Sequence, residues 1–184
     1  MTTLLTSTAP ALATERLTLR GHLPADLDEC TALWADPAVT RFIGGRPSTR
    51  EETWARVLRY AGLWALLGLG YWVVRERATG RFVGEVGLAD FRRDVTPPLD
   101  GAPEVGWALA PWAHGRGYAT EAVRAALAWS DAHLAAPRTV CMISPGNDAS
   151  VRVADKCGFR PLGDATYKGQ DQRLFERPRL ASPS

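Results

Sequence analysis

The feature that most constrains this chain is a glycine turn, Gly115-Arg116-Gly117, between a strand-like run at 104–110 and a helix-forming run. Glycines at 115 and 117 permit positive φ and lack the Cβ that would block a bound group. The first turn of the following helix carries four N–H groups that have no partner inside the helix. A strand, a glycine turn and a helix in this order predict an anion site, to which Arg116 adds a positive charge.

Two better-known phosphate motifs do not fit this turn. A Walker loop requires Lys followed by Ser or Thr after its last glycine, and here Tyr118 and Ala119 follow Gly117. A dinucleotide fingerprint requires Gly or Ala three residues after Gly117, where this chain has Thr120. The alternative is a plain strand–helix turn that holds no ligand, and the turn alone does not choose between the two interpretations.

A resemblance to a known family adds to this pattern. Residues 114–119 resemble the acetyl-CoA-binding loop of the GNAT superfamily of N-acetyltransferases, whose pattern is Gln or Arg, two residues, Gly, one residue, then Gly or Ala. His114 stands where Gln or Arg is usual. Two further blocks, residues 14–20 and 147–159, resemble the RimJ/RimL-like branch in the family's order and spacing. The resemblance covers most of residues 14–178.

Hydrophobic periodicity predicts a mixed sheet flanked by helices. The resemblance implies a GNAT fold of the α/β (mixed α+β) class, with a mostly antiparallel mixed central sheet of six to seven strands. That sheet would splay between its fourth and fifth strands to admit a pantetheine arm. We expect a single domain over 13–178, with 1–12 and 179–184 as flexible tails. The predicted strands are 16–20, 71–76, 81–91, 104–110, 139–144 and 173–177, and the predicted helices are 25–35, one opened by a Ser48–Glu51 capping box, 117–134 and 148–157.

The resemblance also implies which residues would hold acetyl-CoA. The diphosphate would lie on the backbone N–H groups of residues 115–119, and the pantetheine amides would pair with the open edge of the preceding strand. A backbone N–H of that edge would polarise the thioester oxygen. His114 and Asn147 have simpler alternatives as a loop residue and as an N-cap. The implied contacts are Trp107, Ala108, Leu109, His114, Gly115, Arg116, Gly117, Tyr118, Ala119 and Asn147.

The base that deprotonates the amine is predicted to be Glu104. It opens the strand that leads to the turn, and Gly106 and Ala108 on the same face would leave room for a substrate. Glu85 is the competing carboxylate, and a water-relayed base is a third option. The alternative for each glutamate is a solvated or ion-paired sheet residue, and it applies more strongly to Glu85.

The proton donor to the leaving thiolate is less clear, because many family members have a Tyr where this chain has Ala154. In the RimJ/RimL-like branch a Ser one turn earlier takes this role, and that position is Ser150. The alternative is that Ser150 only caps its helix. A CoA thiol has a pKa near that of Cys, about 8.5, so an acid is not essential.

Composition bears on the partners, the cell compartment and the metal content that we expect of this protein. The 184 residues carry a net charge of +2, which gives no sign of a nucleic-acid partner. Cys30, Cys141 and Cys157 are scattered in apolar contexts, so we expect reduced thiols and a cytoplasmic protein. The histidines are isolated in sequence and no metal-ligand spacing occurs, so no metal is expected. The sequence contains no run of about 18 apolar residues, so no membrane span is expected.

The function we predict is that of an acetyl-CoA-dependent N-acetyltransferase in which an amine attacks the thioester directly. The predicted acceptor is a primary amine, either a protein N-terminus or a small molecule. A homodimer is compatible with the sequence, which does not determine the oligomeric state. Two alternatives remain: a catalytically silent acyl-CoA-binding sensor, and an unrelated phosphate-binding module.

Overall fold

The computed structural model describes residues 9–99 and 101–180. Its strands within these residues form one sheet in the order β1-β2-β3-β4-β6-β7-β9-β8-β5. They are β1 (Leu12–Ala13), β2 (Leu17–Arg20), β3 (Tyr71–Glu76), β4 (Phe82–Ala89), β5 (Val95–Thr96), β6 (Glu104–Leu109), β7 (Arg138–Ile143), β8 (Arg160–Tyr167) and β9 (Gln170–Pro178). Its α-helices are α1 (Leu27–Ala35), α2 (Pro37–Thr40), α3 (Arg50–Leu67), α4 (Tyr118–His133) and α5 (Asp148–Lys156).

The predicted fold class is confirmed, since β6 and β7 are the parallel neighbours in an otherwise antiparallel sheet. The predicted number of six to seven strands is too low, because β1, β5 and β8 were not foreseen. The first two are two residues long. Strand β8 is mostly exposed and contains Pro161 and Gly163, so it lacks an alternating apolar pattern.

The expected flexible tails lie partly outside the described residues, which exclude 1–8 and 181–184. Leu12, expected in the N-terminal tail, pairs with Leu19 in the sheet. At the other end, the N–H of Arg179 donates to the carbonyl of Pro137 at 2.9 Å. The ordered fold therefore extends slightly beyond the predicted domain at both ends.

Helices cover both faces of the sheet because successive side chains of a strand alternate sides. Val83, Val86 and Leu88 of β4 pack with α4, where Ala122 and Ala126 are fully buried and allow close approach. We call this the α4/α5 face. On the opposite side, the α1/α3 face, Val73 and Ala108 pack against Cys30, Leu33 and Trp34 of α1 and Val57 of α3.

Helix α3 begins one residue later than predicted. The capping box is formed by Thr49 and Glu52: the Thr49 hydroxyl oxygen accepts from the Glu52 N–H at 3.2 Å, and the Thr49 N–H donates to the carboxylate at 2.8 Å. Tyr60 and Trp64 of this helix are buried in the core, whereas Leu58 is exposed.

The sheet splays between β6 and β7, as predicted. These strands share a single register pair, Glu104–Val140, whereas β6 pairs with β4 from Glu104 to Leu109. Beyond Glu104 the two parallel strands separate, and one edge of β6 is left without a strand neighbour. A wedge opens there, with its closed end at Glu104 and its mouth at Leu109.

Candidate active site

The edge of β6 that faces the wedge offers backbone groups from Trp107 and Leu109. Ala110 donates its N–H to the carbonyl of Val83 in β4 at 2.9 Å. Alternate residues of an antiparallel strand point their backbone groups to the same side, so Ala108 also points to β4. Trp107 and Leu109 point the other way, into the wedge. The predicted edge of three residues is therefore corrected to two, because the backbone groups of Ala108 are used within the sheet.

The glycine turn has the backbone conformation that the sequence predicts. Gly115 and Gly117 have φ of 74° and 80°, and Gly117 is the N-cap of α4. Among the described residues, the N–H groups of residues 115–120 have no hydrogen-bond partner, and the helix ladder begins with Glu121 donating to Gly117 at 3.1 Å. Six backbone donors thus lie together at the positive end of a 16-residue helix. That arrangement suits a phosphate group.

Arg16 holds this turn in place. Its Nη1 donates to the carbonyl of Arg116 at 3.0 Å, and its Nε donates to the Glu121 carboxylate at 2.7 Å. Burial raises the pKa of Glu121, but hydrogen bonds from Thr14 and Arg16 outweigh burial and lower it. Sequence reasoning assigned Arg16 no role. The signal was its place in the block at 14–20 that resembles the family.

Tyr118 offers the turn its backbone N–H, while its side chain points elsewhere. The ring is buried and its hydroxyl donates to Glu76, an interaction that raises the pKa of Tyr118. The Arg16 guanidinium lies 4.7 Å from the centre of the same ring. Arg116 is exposed, with its guanidinium 5.5 Å from the ring of Trp112. A positively charged side chain thus lies beside the unpaired N–H groups.

His114 lies at the mouth of the wedge. Its Nε2 is 2.9 Å from the carbonyl oxygen of Leu109, which can only accept, so Nε2 carries a proton. This bond satisfies the wedge-facing carbonyl of Leu109 and leaves the N–H of that residue available. His114 therefore shapes the junction between the strand edge and the glycine turn.

Helix α5 borders the wedge from the β7 side. Asn147 is its N-cap, and the Asn147 Oδ1 accepts from the N–H of Ser150 at 3.2 Å. The Ser150 side chain is half-buried, and its hydroxyl has no hydrogen-bond partner within the described ranges. Ala154, where many family members have a Tyr, is fully buried. The capping alternative for Asn147 is thus present, and it leaves the amide nitrogen free to contact a ligand.

Glu104, the predicted base, lies at the closed end of the wedge in an ion pair with Arg93. The Arg93 Nε and Nη2 donate to its two oxygens at 2.6 and 3.1 Å. Burial lowers the pKa of Arg93, but the bonds to Glu104 outweigh burial and raise it. The guanidinium also donates to the Tyr167 hydroxyl at 3.0 Å. This network ties the loop before β6 to the β8–β9 hairpin.

Glu85, the competing carboxylate, is fully buried on the α1/α3 face. Its oxygens lie 3.0 Å from His22 Nε2 and 2.8 Å from the Trp34 indole nitrogen. Cys30 completes the cluster, since ligand-type atoms of His22, Cys30 and Glu85 lie within 4.8 Å of one another. Burial and the nearby Glu85 raise the pKa of the Cys30 thiol. The histidine that was isolated in sequence is therefore part of a buried hydrogen-bonded cluster, and Glu85 has no exposed oxygen with which to meet a substrate.

A cavity of about 300 Å³ opens beside Glu104. It lies on the α1/α3 face, where Ala89 and Phe91 pack with Tyr60 and Tyr71. Its walls combine apolar side chains with the Arg93–Glu104 pair, which is typical of small-molecule sites. Its lining includes Ala89, Phe91, Arg93, Leu99, Ala102 and Glu104.

The free thiols and the helices add two findings. Cys30, Cys141 and Cys157 are buried and unpaired with one another. In the part of the chain that the structure describes, no helix combines the length and the apolarity needed to cross a bilayer.

Comparison with known proteins gives concordant matches. The model of the acetyltransferase (GNAT) domain family matches residues 16–160. The chain is 31% identical over 154 residues to the uncharacterized protein YkkB of Bacillus subtilis, covering 80% of this chain and 84% of YkkB. An acetyltransferase structure from Agrobacterium tumefaciens is 31% identical, with a TM-score of 0.78 over 91% of this chain and 93% of that one. RimL, a ribosomal L7/L12 alpha-N-protein acetyltransferase in complex with coenzyme A, shares the fold at 17% identity and a TM-score of 0.77, over 94% of this chain and 100% of RimL.

Proposed function

This chain belongs to the acetyltransferase (GNAT) domain family, and we propose that it transfers the acetyl group of acetyl-CoA to a primary amine. One observation carries the proposal: three features follow one another along the wedge. Unpaired N–H groups lie at its mouth, a free strand edge runs along its side, and a cavity opens at its closed end. This order matches the diphosphate, the pantetheine amides and the acceptor of an acetyl transfer.

Acetyl-CoA would bind with its diphosphate on the N–H groups of residues 115–119, beside Arg116. Backbone donors and a helix N-terminus stabilise phosphate charge without any sequence-specific side chain. Trp107 and Leu109 would pair with the pantetheine amides as an added strand does. Asn147 would reach the arm from α5. The CoA bound in RimL, a protein of the same fold, supports the choice of ligand.

The thioester carbonyl would be polarised by a wedge-facing N–H of β6, at Trp107 or Leu109. Such a donor strengthens as charge develops on the carbonyl oxygen, and removing one costs on the order of 10²–10³ in rate in other acyl-transfer enzymes. The amine nitrogen attacks the carbonyl carbon, a C–N bond forms and the C–S bond breaks. The nitrogen loses a proton and CoA leaves as a thiolate.

The proton from the amine would pass to Glu104 through a water molecule. Each Glu104 oxygen accepts one bond from Arg93 and keeps a lone pair that can accept from such a water. Glu104 is preferred to Glu85 because it lines the cavity, whereas Glu85 is enclosed by His22 and Trp34. Ser150, with its unpaired hydroxyl, is the proposed donor to the thiolate. The low pKa of a thiol, about 8.5, makes that donor helpful but not indispensable.

A protein N-terminal amine is the first acceptor to test, because RimL acts on such an amine. A small-molecule amine is equally compatible with a cavity of this size. We infer that the protein works in a reducing compartment such as the cytoplasm, since its three cysteines are free and buried. The silent acyl-CoA sensor stays as the second candidate, because Ala154 replaces the usual Tyr.

The experiment that tests this proposal incubates the purified protein with acetyl-CoA and a panel of peptides, polyamines and amino acids. Free thiol release and the mass of each acceptor are both measured. We expect one acceptor class to gain an acetyl group with matching thiol release. Tight CoA binding without transfer to any acceptor would support the sensor instead.

Glu104→Gln tests the base. We expect turnover at neutral pH to fall by at least about 10²-fold, because general-base catalysis contributes roughly 10²–10⁴, while CoA affinity in calorimetry stays nearly unchanged. The matched control is Glu176→Gln, a second strand carboxylate paired with arginine, here Arg138 and Arg160, but outside the wedge. Unchanged turnover in Glu104→Gln would move the role to Glu85 or to water alone.

A further inference from the structure

Two glycines on the α1/α3 face make room for one aromatic ring. Gly87 of β4 and Gly106 of β6 are register partners. A Cβ on Gly87 would lie 2.4 Å from Cα and 2.5 Å from Cγ of Tyr71, and a Cβ on Gly106 would lie 2.2 Å from the Tyr71 hydroxyl oxygen. The ring of Tyr71 therefore crosses both strands, and its hydroxyl ends over the middle of β6.

The ring of Tyr71 is held by packing, but its hydroxyl makes no hydrogen bond to the described residues. The ring stacks on Tyr60 with centroids 4.2 Å apart and planes inclined by 7°. The residue is 7% exposed, yet its hydroxyl has no hydrogen-bond partner among the described residues. Leaving a nearly buried hydroxyl unpaired costs free energy, so a ligand that bonds to it gains correspondingly. Burial, followed by the neighbouring Tyr60, raises the pKa of Tyr71, and the hydroxyl stays neutral across the working pH range.

This hydroxyl lies over Gly106, between Glu104 at the cavity and the β6 residues whose backbone groups face the wedge. Gly106 lies on the same face of the sheet as Glu104, which lines the cavity. The next residue is Trp107, whose backbone groups face the wedge. Phe91 of the cavity wall has its ring centre 6.2 Å from that of Tyr71. A group that reaches β6 from the cavity would meet the Tyr71 hydroxyl beside the proposed acetyl site.

We propose that the hydroxyl of Tyr71 contacts the acceptor amine and orients its lone pair toward the acetyl carbon. The inference rests on the proposed acetyl transfer. The phenol oxygen accepts one N–H of the amine, and two N–H groups remain on the ammonium before its proton leaves. A neutral oxygen suits this role because a carboxylate at the same place would stabilise the ammonium and oppose its deprotonation.

Tyr71→Phe removes the oxygen and keeps the ring across Gly87 and Gly106. We expect the KM for the amine to rise about three- to tenfold, the value of one hydrogen bond, while CoA affinity in calorimetry stays unchanged. Tyr60→Phe is the matched control, since it removes a hydroxyl from the stacked neighbour and should leave the KM for the amine unaltered. Wild-type transfer with normal amine kinetics in Tyr71→Phe overturns the role of Tyr71 alone. Absence of wild-type transfer overturns the acetyltransferase proposal and this inference with it.

A second measurement tests the placement of the hydroxyl without any catalysis. Gly106→Ala should lower the melting temperature, because its Cβ meets the Tyr71 oxygen at 2.2 Å. In a Tyr71→Phe background the nearest ring atom is Cζ, 3.3 Å from that Cβ, so the same substitution should cost much less. Equal drops in the two backgrounds would contradict this position of the side chain.

Discussion

The glycine turn and the buried carboxylate cluster make opposite use of their polar groups. The turn and the first residues of α4, residues 115–120, are mostly exposed or half-buried and present backbone N–H groups that nothing in the described chain satisfies. In the cluster of His22, Cys30, Trp34 and Glu85, both oxygens of Glu85 are bonded within the protein. The first region therefore leaves backbone donors available to a ligand, whereas the second directs both oxygens of its carboxylate to donors inside the core. A cluster of titratable groups in the core is therefore not by itself evidence of a catalytic site.

Glu85→Ala should have the largest effect on this comparison. The change leaves His22 and the Trp34 indole N–H unpaired in the core, and breaking a buried pair costs about 2–5 kcal/mol. Chemical denaturation should show this loss, while CoA affinity of the folded fraction stays near the wild-type value. Glu85→Gln, which preserves an acceptor for Trp34, is the control and should cost less. A stable Glu85→Ala protein that has lost turnover would mean that the cluster is catalytic after all.

Gly117→Ala tests the glycine turn. The residue has φ of 80°, and a Cβ there would lie 3.4 Å from the Arg16 guanidinium, among the unpaired N–H groups of residues 115–120. We expect CoA affinity to fall by at least about tenfold, or about 1.4 kcal/mol, in calorimetry. Gly169→Ala in the β8–β9 turn, with φ of 73° and open space around it, carries similar backbone strain far from the wedge. Equal CoA affinities in the two variants would show that the turn does not bind the carrier.

Asp26, near the start of α1, contributes a stabilisation that depends on pH. Burial raises its pKa, but bonds from Arg20, the Leu23 N–H and Arg75 outweigh burial and lower it from 3.8 to about 2. The folded pKa lies below the unfolded value, so the stabilisation is complete above about pH 4 and is lost as pH falls toward 2. Asp26→Asn should cost about 1–2 kcal/mol at neutral pH.

Denaturation at several pH values measures this difference. The gap in unfolding free energy between the wild type and Asp26→Asn should narrow between about pH 4 and pH 2. A gap that is constant across that range would show that the charge of Asp26 contributes nothing.

Local chemistry explains what could be predicted from the sequence. The bounds of β6 and α4 and the positive φ at Gly115 and Gly117 follow from short-range patterns that a turn of this kind imposes. The mixed sheet followed from the order of strands and helices. The splay at Glu104–Val140 came from the family resemblance, because no local pattern records that two parallel strands separate.

What could not be predicted depends on contacts between distant positions. His22 and Glu85 are 63 residues apart, and Arg93 reaches Glu104 from a loop whose charges look balanced in sequence. The position of Tyr71 over Gly106 requires the register of three strands. Such pairs leave no periodic signal, so the acceptor side of the wedge became visible only in the folded chain.

Backbone amide exchange followed by NMR tests directly whether the N–H groups of residues 115–120 bind the diphosphate of CoA. In the free protein the N–H groups of residues 115–120 should exchange rapidly, because no internal hydrogen bond protects them. CoA should slow exchange both there and at Trp107 and Leu109, whereas pantetheine, which lacks the diphosphate, should slow it only at the strand edge. Protection that appears elsewhere, or residues 115–120 that respond to neither ligand, would contradict the account.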